Sequence, residues 1–312
     1  MSESFAVADD GTQLYMRVHD GPSSPIGASA GGRAGRAVSV LCDGIACDGF
    51  IWKYLWEALA ARMPVAHFHY RGHGRSKRPV DPEQIDVPAH ARDLSAIRRT
   101  LGDPGVVLYG HSMGCQVVLE NYRIQPDRVR GLVLLCGAPG RVTHSFKGSD
   151  ALAQVLPRLI ETVDKYPHVA RAVWGSVPPE LALKVALALG EVDGKLMEPR
   201  DLVPYLQHMV DIDLPMFLRM LRAAGEHDAS DMLGTIRCPV LVIAGEHDSF
   251  TPPRLAEAMA KAIPDCELVM TSGTHVVPLE YKALVEEKID AFLARSLLRD
   301  DDAPVVAVRN PA

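Results

Sequence analysis

The sequence predicts an α/β architecture, a mostly parallel sheet with helices on both faces, and three observations predict it. From Ala37 onward, short continuous apolar runs rich in β-branched and aliphatic residues end at turn residues, as strands buried on both faces do. Segments of helical period separate these runs, which is the rhythm of βαβ units. One interval, from about Arg141 to Leu233, contains no convincing strand and reads as an all-helical insertion lying as a cap over one edge of the fold. A chain of 312 residues has room for one large core carrying such an insertion.

Taken in order, SFAVADDGTQLYMRVHD sets two half-apolar runs around Asp10-Gly11, a turn dipeptide suited to a β-hairpin. Gly21 to Arg36 is rich in Gly, Ser, Ala and Pro and reads as a loose surface loop. The expected parallel strands are AVSVLC, PVAHFHY, GVVLYG, GLVLLCG and PVLVIAG, with CELVMTS a weaker sixth run. Between them FIWKYLWEALAARM, AHARDLSAIRRTLG, SMGCQVVLENYRIQ and PRLAEAMAKAI place apolar residues at helical spacing. Within the insertion, DALAQVLPRLIETV, PELALKVALAL and LPMFLRMLRAAG are amphipathic. The expected division is therefore a core from residues 1–140 and 234–298, a helical cap over 141–233, and a disordered charged tail over 299–312.

Charge and composition narrow the function classes. Lys plus Arg total 33 against 39 for Asp plus Glu, a net charge of −6 that argues against a nucleic-acid or anionic-membrane surface as the main partner. Aromatic residues at 6% disfavour a stacking platform for single-stranded bases. The six cysteines contain no CxxC pair, so reduced, mostly buried thiols are expected. The start lacks a basic and then apolar leader and no run is long enough to span a membrane, so a cytoplasmic location is the expectation.

The strongest chemical signal is GVVLYGHSMGCQVV, a buried strand that ends in Gly110-His111-Ser112-Met113-Gly114 and runs at once into a helix. This is a GxSxG nucleophile elbow in its strand–turn–helix context. Two small residues let the chain reverse tightly and hold Ser112 exposed on a strained turn, while the helix N-terminus presents amide N–H groups where an oxyanion would form. A serine hydroxyl needs a base. VLVIAGEHDSFTPP carries Asp248 just past a strand, and CELVMTSGTHVVPLE carries His275 in the loop after the last strand. The order Ser112, Asp248, His275, all at carboxyl ends of parallel strands, suits a triad on one rim of the sheet.

The ordered set CDGIACDGFIW, HFHYRGHGRS, GHSMG, GEHDSFTPP and SGTHVVPLE resembles the α/β-hydrolase superfamily from about Val40 to Phe292, outside the helical insertion. The resemblance implies an eight-stranded mostly parallel sheet with a cap inserted after GLVLLCG. It also implies Ser112 as nucleophile, Asp248 as triad acid, His275 as base, and the Met113 N–H as one oxyanion donor. The second donor normally follows a His-Gly pair. Here the pair is Asp43-Gly44, which makes Ile45 the donor and leaves Asp43 either pinning its own loop or touching a polar substrate group.

Other residues carry two readings each. His67 and His69 share a strand face and form half of a metal site, but no third ligand is placed by spacing. Arg71-Gly72-His73-Gly74 reads as a structural loop, Asp93 as an ion-pair partner of an arginine, His111 as packing and Cys115 as a buried small residue. Phe50, Trp52, Met209, Met216 and Met220 are candidates for an apolar acyl pocket, or simply for core. A serine nucleophile, unlike the aspartate of dehalogenases and epoxide hydrolases in the superfamily, suits acyl transfer through an acyl-enzyme, with no cofactor and no metal. The expected function is hydrolysis of a carboxylic ester of a partly apolar small molecule. An acyltransferase, a lactone or C–C bond hydrolase on the same triad, and a non-catalytic binding protein remain alternatives, and oligomeric state is left open.

Overall fold

The computed structural model describes residues 1–22 and 37–297; most of the expected surface loop and the whole expected tail lie outside the described residues. The chain begins with an antiparallel pair, β1 (Ser2–Val7) and β2 (Gln13–His19), closed around Asp10-Gly11 as the turn dipeptide predicts. Then follow β3 (Val38–Cys42), helix α1 (Lys53–Ala60), β4 (Val65–Phe68), α2 (Val87–Thr100), β5 (Val106–His111), α3 (Met113–Ile124) and β6 (Val129–Leu135). The insertion supplies α4 (Ala151–Lys165), α5 (Pro167–Trp174), α6 (Pro179–Ala188), α7 (Val203–Asp211) and α8 (Leu214–Glu226), with two short 3₁₀ turns before α4 and one between α6 and α7. The core resumes with β7 (Val240–Gly245), α9 (Pro253–Ala262), β8 (Cys266–Thr271), α10 (Val277–Glu280) and α11 (Lys282–Leu297).

All eight strands form one sheet in the order β1-β2-β4-β3-β5-β6-β7-β8. Only β1–β2 and β2–β4 pair antiparallel; the remaining neighbours are parallel. After β3 the chain moves outward to β4 and then returns to β5 on the other side, so the strand order reverses at β3. A crevice opens at the carboxyl ends of strands on either side of such a reversal, and ligands of open α/β sheets bind there.

Alternation along the strands shows why the apolar runs are continuous. In β5, Val106 and Leu108 join the core on one face, and Val107 and Tyr109 join the core on the other. In β7, Val240, Val242 and Ala244 divide from Leu241 and Ile243 in the same way. Helices α2, α3 and α9 cover the first face through Leu94, Val117 and Met259; α1 and α11 cover the second through Leu59, Ile289 and Phe292. Each fully buried aliphatic side chain contributes about 1.5–3 kcal/mol of transfer free energy. The weaker sixth run becomes β8, an edge strand whose residues are mostly half-buried. A separate small cluster, Leu156, Ile160 and Val163 of α4 with Leu214 and Leu218 of α8, gives the insertion an apolar centre of its own.

Candidate active site

Strand β5 and helix α3 meet at Ser112, which adopts φ 54° and ψ −121°, a conformation few non-glycine residues hold. Strain of this kind costs about 1–3 kcal/mol and persists only where the surroundings impose it. They do so here through the Ser112 N–H donating to the Leu135 carbonyl at 3.0 Å and the Cys115 N–H donating to the Ser112 carbonyl at 3.0 Å. The small residues of the motif are required by contact. A Cβ on Gly110 would lie 2.5 Å from the Gly114 carbonyl oxygen, and one on Gly114 would lie 2.2 Å from the Cys42 carbonyl oxygen.

Asp248, in the loop after β7, and His275, in the loop after β8, meet through a 2.8 Å contact between Asp248 Oδ2 and His275 Nδ1. Asp248 is already saturated on its other side. Its Oδ1 accepts from the N–H groups of Phe250 and Thr251, and its Oδ2 also accepts from the Thr251 hydroxyl. Burial pushes the Asp248 carboxyl up, but the His275 ring and the Thr251 hydrogen bonds outweigh it and hold the carboxyl below its ordinary value. That anion accepts the hydrogen bond from Nδ1–H and so leaves Nε2 as the free acceptor of the ring.

His111 braces the same loop. Its Nε2 lies 2.9 Å from the His275 carbonyl oxygen. Burial, reinforced by the neighbouring His275, lowers the His111 pKa to about 4, so the ring is neutral and Nε2–H donates to that carbonyl. The His275 ring is held between Phe250 and His111, at centroid distances of 4.9 and 5.0 Å. Ser112 and His275 line one cavity, of about 160 Å³, together with Gly44, Ile45, Phe50 and Tyr205. Ser112 also borders a second cavity of about 250 Å³ with Met113, Phe146, Phe217 and Leu221. No hydrogen bond joins Ser112 Oγ to His275; contacts of this type are commonly long before substrate binds. Among the described residues, the N–H groups of Ile45 and Met113 donate to no protein acceptor.

The other expected contacts divide. Phe50 lines the smaller cavity and stacks on Tyr205 at 4.8 Å. Asp43, Trp52, Met216 and Met220 line neither cavity. The expectation of Asp43 or Trp52 at the substrate is corrected by their mutual contact, Trp52 Nε1–H donating to Asp43 Oδ1 at 2.7 Å, while Asp43 Oδ2 meets His67 Nε2 at 2.8 Å. Tyr70 also donates to the Asp43 carbonyl, so the residue pins the loop through three neighbours. Burial pushes the Asp43 carboxyl up, but the adjacent His67 and the hydrogen bonds from His67 and Trp52 leave it below its ordinary value. Met216 lies over Gly72 and Met220 sits in the main core, where α8 turns its apolar face inward.

His67 and His69 are neighbours at 5.4 Å, but Asp43 occupies a nitrogen of one and the Arg75 N–H donates to a nitrogen of the other. No group of three or more metal-ligating side chains occurs among the described residues. Asp93 pairs with an arginine as expected, Arg71, which grips both its oxygens. Cys115 is buried and burial pushes its thiol up to about 12, so no thiolate forms there. Phe250, Tyr205, Phe146 and Leu221 were absent from the sequence expectations. Phe250 stands inside the GEHDSFTPP motif and was within reach of a sequence reading; the others lie on insertion segments with no distinguishing pattern.

A family model described as the alpha/beta hydrolase fold matches residues 40–280. The chain belongs to the alpha/beta hydrolase fold family. Among its relatives, polyketide synthase ThaQ of Burkholderia thailandensis is 32% identical over 86% of this chain, which spans only 12% of that protein's length. A putative carbamate hydrolase RutD of Azorhizobium caulinodans is 27% identical over 84% of this chain and 88% of its own length. Among solved structures, a thermophilic esterase from Thermogutta terrifontis superposes with a TM-score of 0.71, covering 95% of this chain and 99% of its own at 21% identity. The eight-stranded, mostly parallel sheet with two antiparallel pairs fits the alpha/beta hydrolase fold. No described helix is long and apolar enough to cross a membrane.

Proposed function

We propose that this alpha/beta hydrolase fold protein cleaves a carboxylic ester of a small molecule through an acyl-enzyme on Ser112. The observation that carries the reading is Ser112, strained at the head of α3, bordering the same cavity as a His275 ring oriented by Asp248 at 2.8 Å. In the proposed cycle His275 Nε2 takes the Ser112 proton as Oγ bonds to the substrate carbonyl carbon. The oxygen that becomes negative is met by the N–H groups of Ile45 and Met113, which have no other protein acceptor among the described residues. Asp248 stabilises the imidazolium. Collapse breaks the carbon–oxygen bond to the leaving alcohol, and the alcohol oxygen takes the proton from Nε2. Water then gives its proton to Nε2 and attacks the acyl carbon, releasing the carboxylic acid and restoring Ser112.

A carbamate is the second reading, favoured by the relatives named putative carbamate hydrolase; its carbonyl would accept the same attack. A fluorophosphonate serine probe tests both against the binding-protein alternative. Labelling of the folded wild-type chain and not of Ser112→Ala supports a hydrolase; no labelling of folded wild type overturns it. Rates on paired esters and carbamates of one alcohol separate the first two readings, and product analysis with added alcohols separates hydrolysis from acyl transfer.

A further inference from the structure

Two cavities of unequal size meet at Ser112, about 160 Å³ and about 250 Å³, and both are bordered by Ile45, Ser112, Tyr205 and Phe250. Tyr205 and Phe250 therefore stand as a partition between them. The smaller cavity is bordered by His275 and the larger by Met113. From this asymmetry we infer that the site takes a two-armed ester with a medium-length apolar acyl chain in the larger cavity and a small alcohol in the smaller.

The inference rests on the acyl-enzyme reading and follows from where the proton must go. When the tetrahedral intermediate collapses, the bond between the acyl carbon and the alcohol oxygen breaks, its electron pair stays on that oxygen, and His275 Nε2 supplies the proton. The departing oxygen must therefore lie on the His275 side, which only the smaller cavity borders. The acyl carbon stays on Ser112 with its oxygen toward the Ile45 and Met113 N–H groups; with the alcohol on the His275 side, the larger cavity is the room left at Ser112 for the acyl chain.

Both cavities are walled mainly by apolar side chains. Beyond the shared partition the larger cavity is walled by Val142, Phe146, Leu152, Phe217, Leu221 and Ala224, all from the insertion, together with Met113, Thr143 and Thr251. A hydrocarbon chain loses nothing by leaving water for such a surface. The smaller cavity includes Glu191, whose carboxylate is held by Lys147 at 2.5 Å and by the Ser249 hydroxyl at 2.5 Å. That ion pair stands at one side of a cavity otherwise walled mainly by Cys47, Phe50, Ala186, Val192, Leu202 and Leu206, so the place of His275 and the size of each cavity, not wall polarity, separate the two arms. At about 30 Å³ for each water-sized group, the cavities hold about eight and about five non-hydrogen atoms. Octanoyl-sized acids esterified to butanol-sized alcohols therefore fill the two cavities.

Two ester series, followed by acid release, test the assignment: methyl esters from acetyl to dodecanoyl, and butanoyl esters from methanol to octanol. Wild type is expected to prefer acyl chains near eight carbons and alcohols near four. Leu221→Ala should move the acyl optimum longer by about two carbons, Ala224→Val should move it shorter, and neither should reshape the alcohol series. Leu206→Ala, beside the smaller cavity, should do the opposite, broadening the alcohol series alone. Opposite shifts from an enlarging and a filling change are not produced by loose folding, so either acyl-side variant suffices if the other fails to fold. Exchanged responses, or both series moving together, overturn the assignment while Ser112-dependent turnover leaves the acyl-enzyme reading intact. Absence of turnover on every ester by folded wild type overturns both.

Discussion

The sheet edge under Ser112 and the helical insertion above it are held together by different physics. Strands β5 and β7 are buried along their whole length, and every expected chemical residue sits within a few positions of a strand end. In α5, α6 and α7 no residue is fully buried, and Val169, Val173, Leu181 and Val185 are each about half exposed or more. The proposed reacting groups are thus placed by a close-packed frame, whereas α6 and α7, which wall the smaller cavity through Ala186, Tyr205 and Leu206, have few buried residues and more freedom to shift. Chemistry and selectivity are separable on this molecule, and each prediction below either widens or closes that gap.

The largest expected effect is on the frame's chemistry. Ser112→Ala or His275→Ala should lower turnover on the order of 10³-fold or more with the melting temperature nearly unchanged. Turnover that survives either change removes the mechanism. A single wall substitution such as Leu221→Ala should not approach that loss, because it alters fit and not the reacting atoms.

Backbone contacts supply the next comparison. Gly114→Ala would drive a methyl group into the Cys42 carbonyl, backbone that has no room to retreat. It should cost on the order of 3 kcal/mol or more in urea unfolding and abolish the elbow geometry. Gly190, at the end of α6 with φ +71°, has nothing within 4 Å of the same position. Gly190→Ala should cost only about 1 kcal/mol, from its backbone conformation alone. Equal costs would mean the insertion is as tightly packed as the sheet, and the contrast drawn above would fail.

The contrast also explains what was legible beforehand. The six parallel strands could be read because burial on two faces forces continuous apolar runs, and the elbow because Gly110, Ser112 and Gly114 answer to backbone contact. Asp248 and His275 follow from strand ends. The partners of Asp43 were not legible: Trp52 is nine residues on and His67 lies on a neighbouring strand, and pairing across β3 and β4 leaves no periodic trace. Nor were Tyr205 and Leu221. Half-buried helices carry apolar residues on several sides, so period alone cannot say which side faces a cavity.

Acid should expose the frame's own weakness. Burial lowers the pKa of His69 to about 3 and those of His73 and His111 to about 4, from an ordinary 6.5. The unfolded chain takes up these protons below pH 6.5 and the folded chain does not, so the unfolded state binds more protons and stability falls as pH drops from about 6.5 toward 4. Each histidine contributes about 1.4 kcal/mol per pH unit in that window. Asp248 and Asp43, whose carboxyls are depressed, add stability that is lost only at lower pH, as the carboxylates themselves protonate. Urea midpoints should therefore drop between pH 7 and 5.5. A flat profile there would show that these rings charge freely in the folded state.

The smallest effect on rate, and the finest probe of the frame, comes from removing the Asp43 charge alone. That carboxylate lies near the proposed oxyanion site, where it should oppose catalysis unless the charge is absorbed by its hydrogen bonds to His67 and Trp52. Asp43→Asn keeps the shape. The amide oxygen still accepts from Trp52, and the NH₂ donates to His67 Nε2 once that ring shifts its proton to Nδ1, which has no partner now. Stability should change by about 1 kcal/mol and kcat by a few-fold at most. Asp43→Ala instead leaves Trp52 Nε1 and His67 Nε2 buried and unpaired, at a cost of several kcal/mol, and should lower kcat more than it raises KM as the Ile45 N–H loses its position. If Asp43→Asn raises kcat tenfold, the anion was opposing the transition state, and the pinning of the loop comes at the expense of rate.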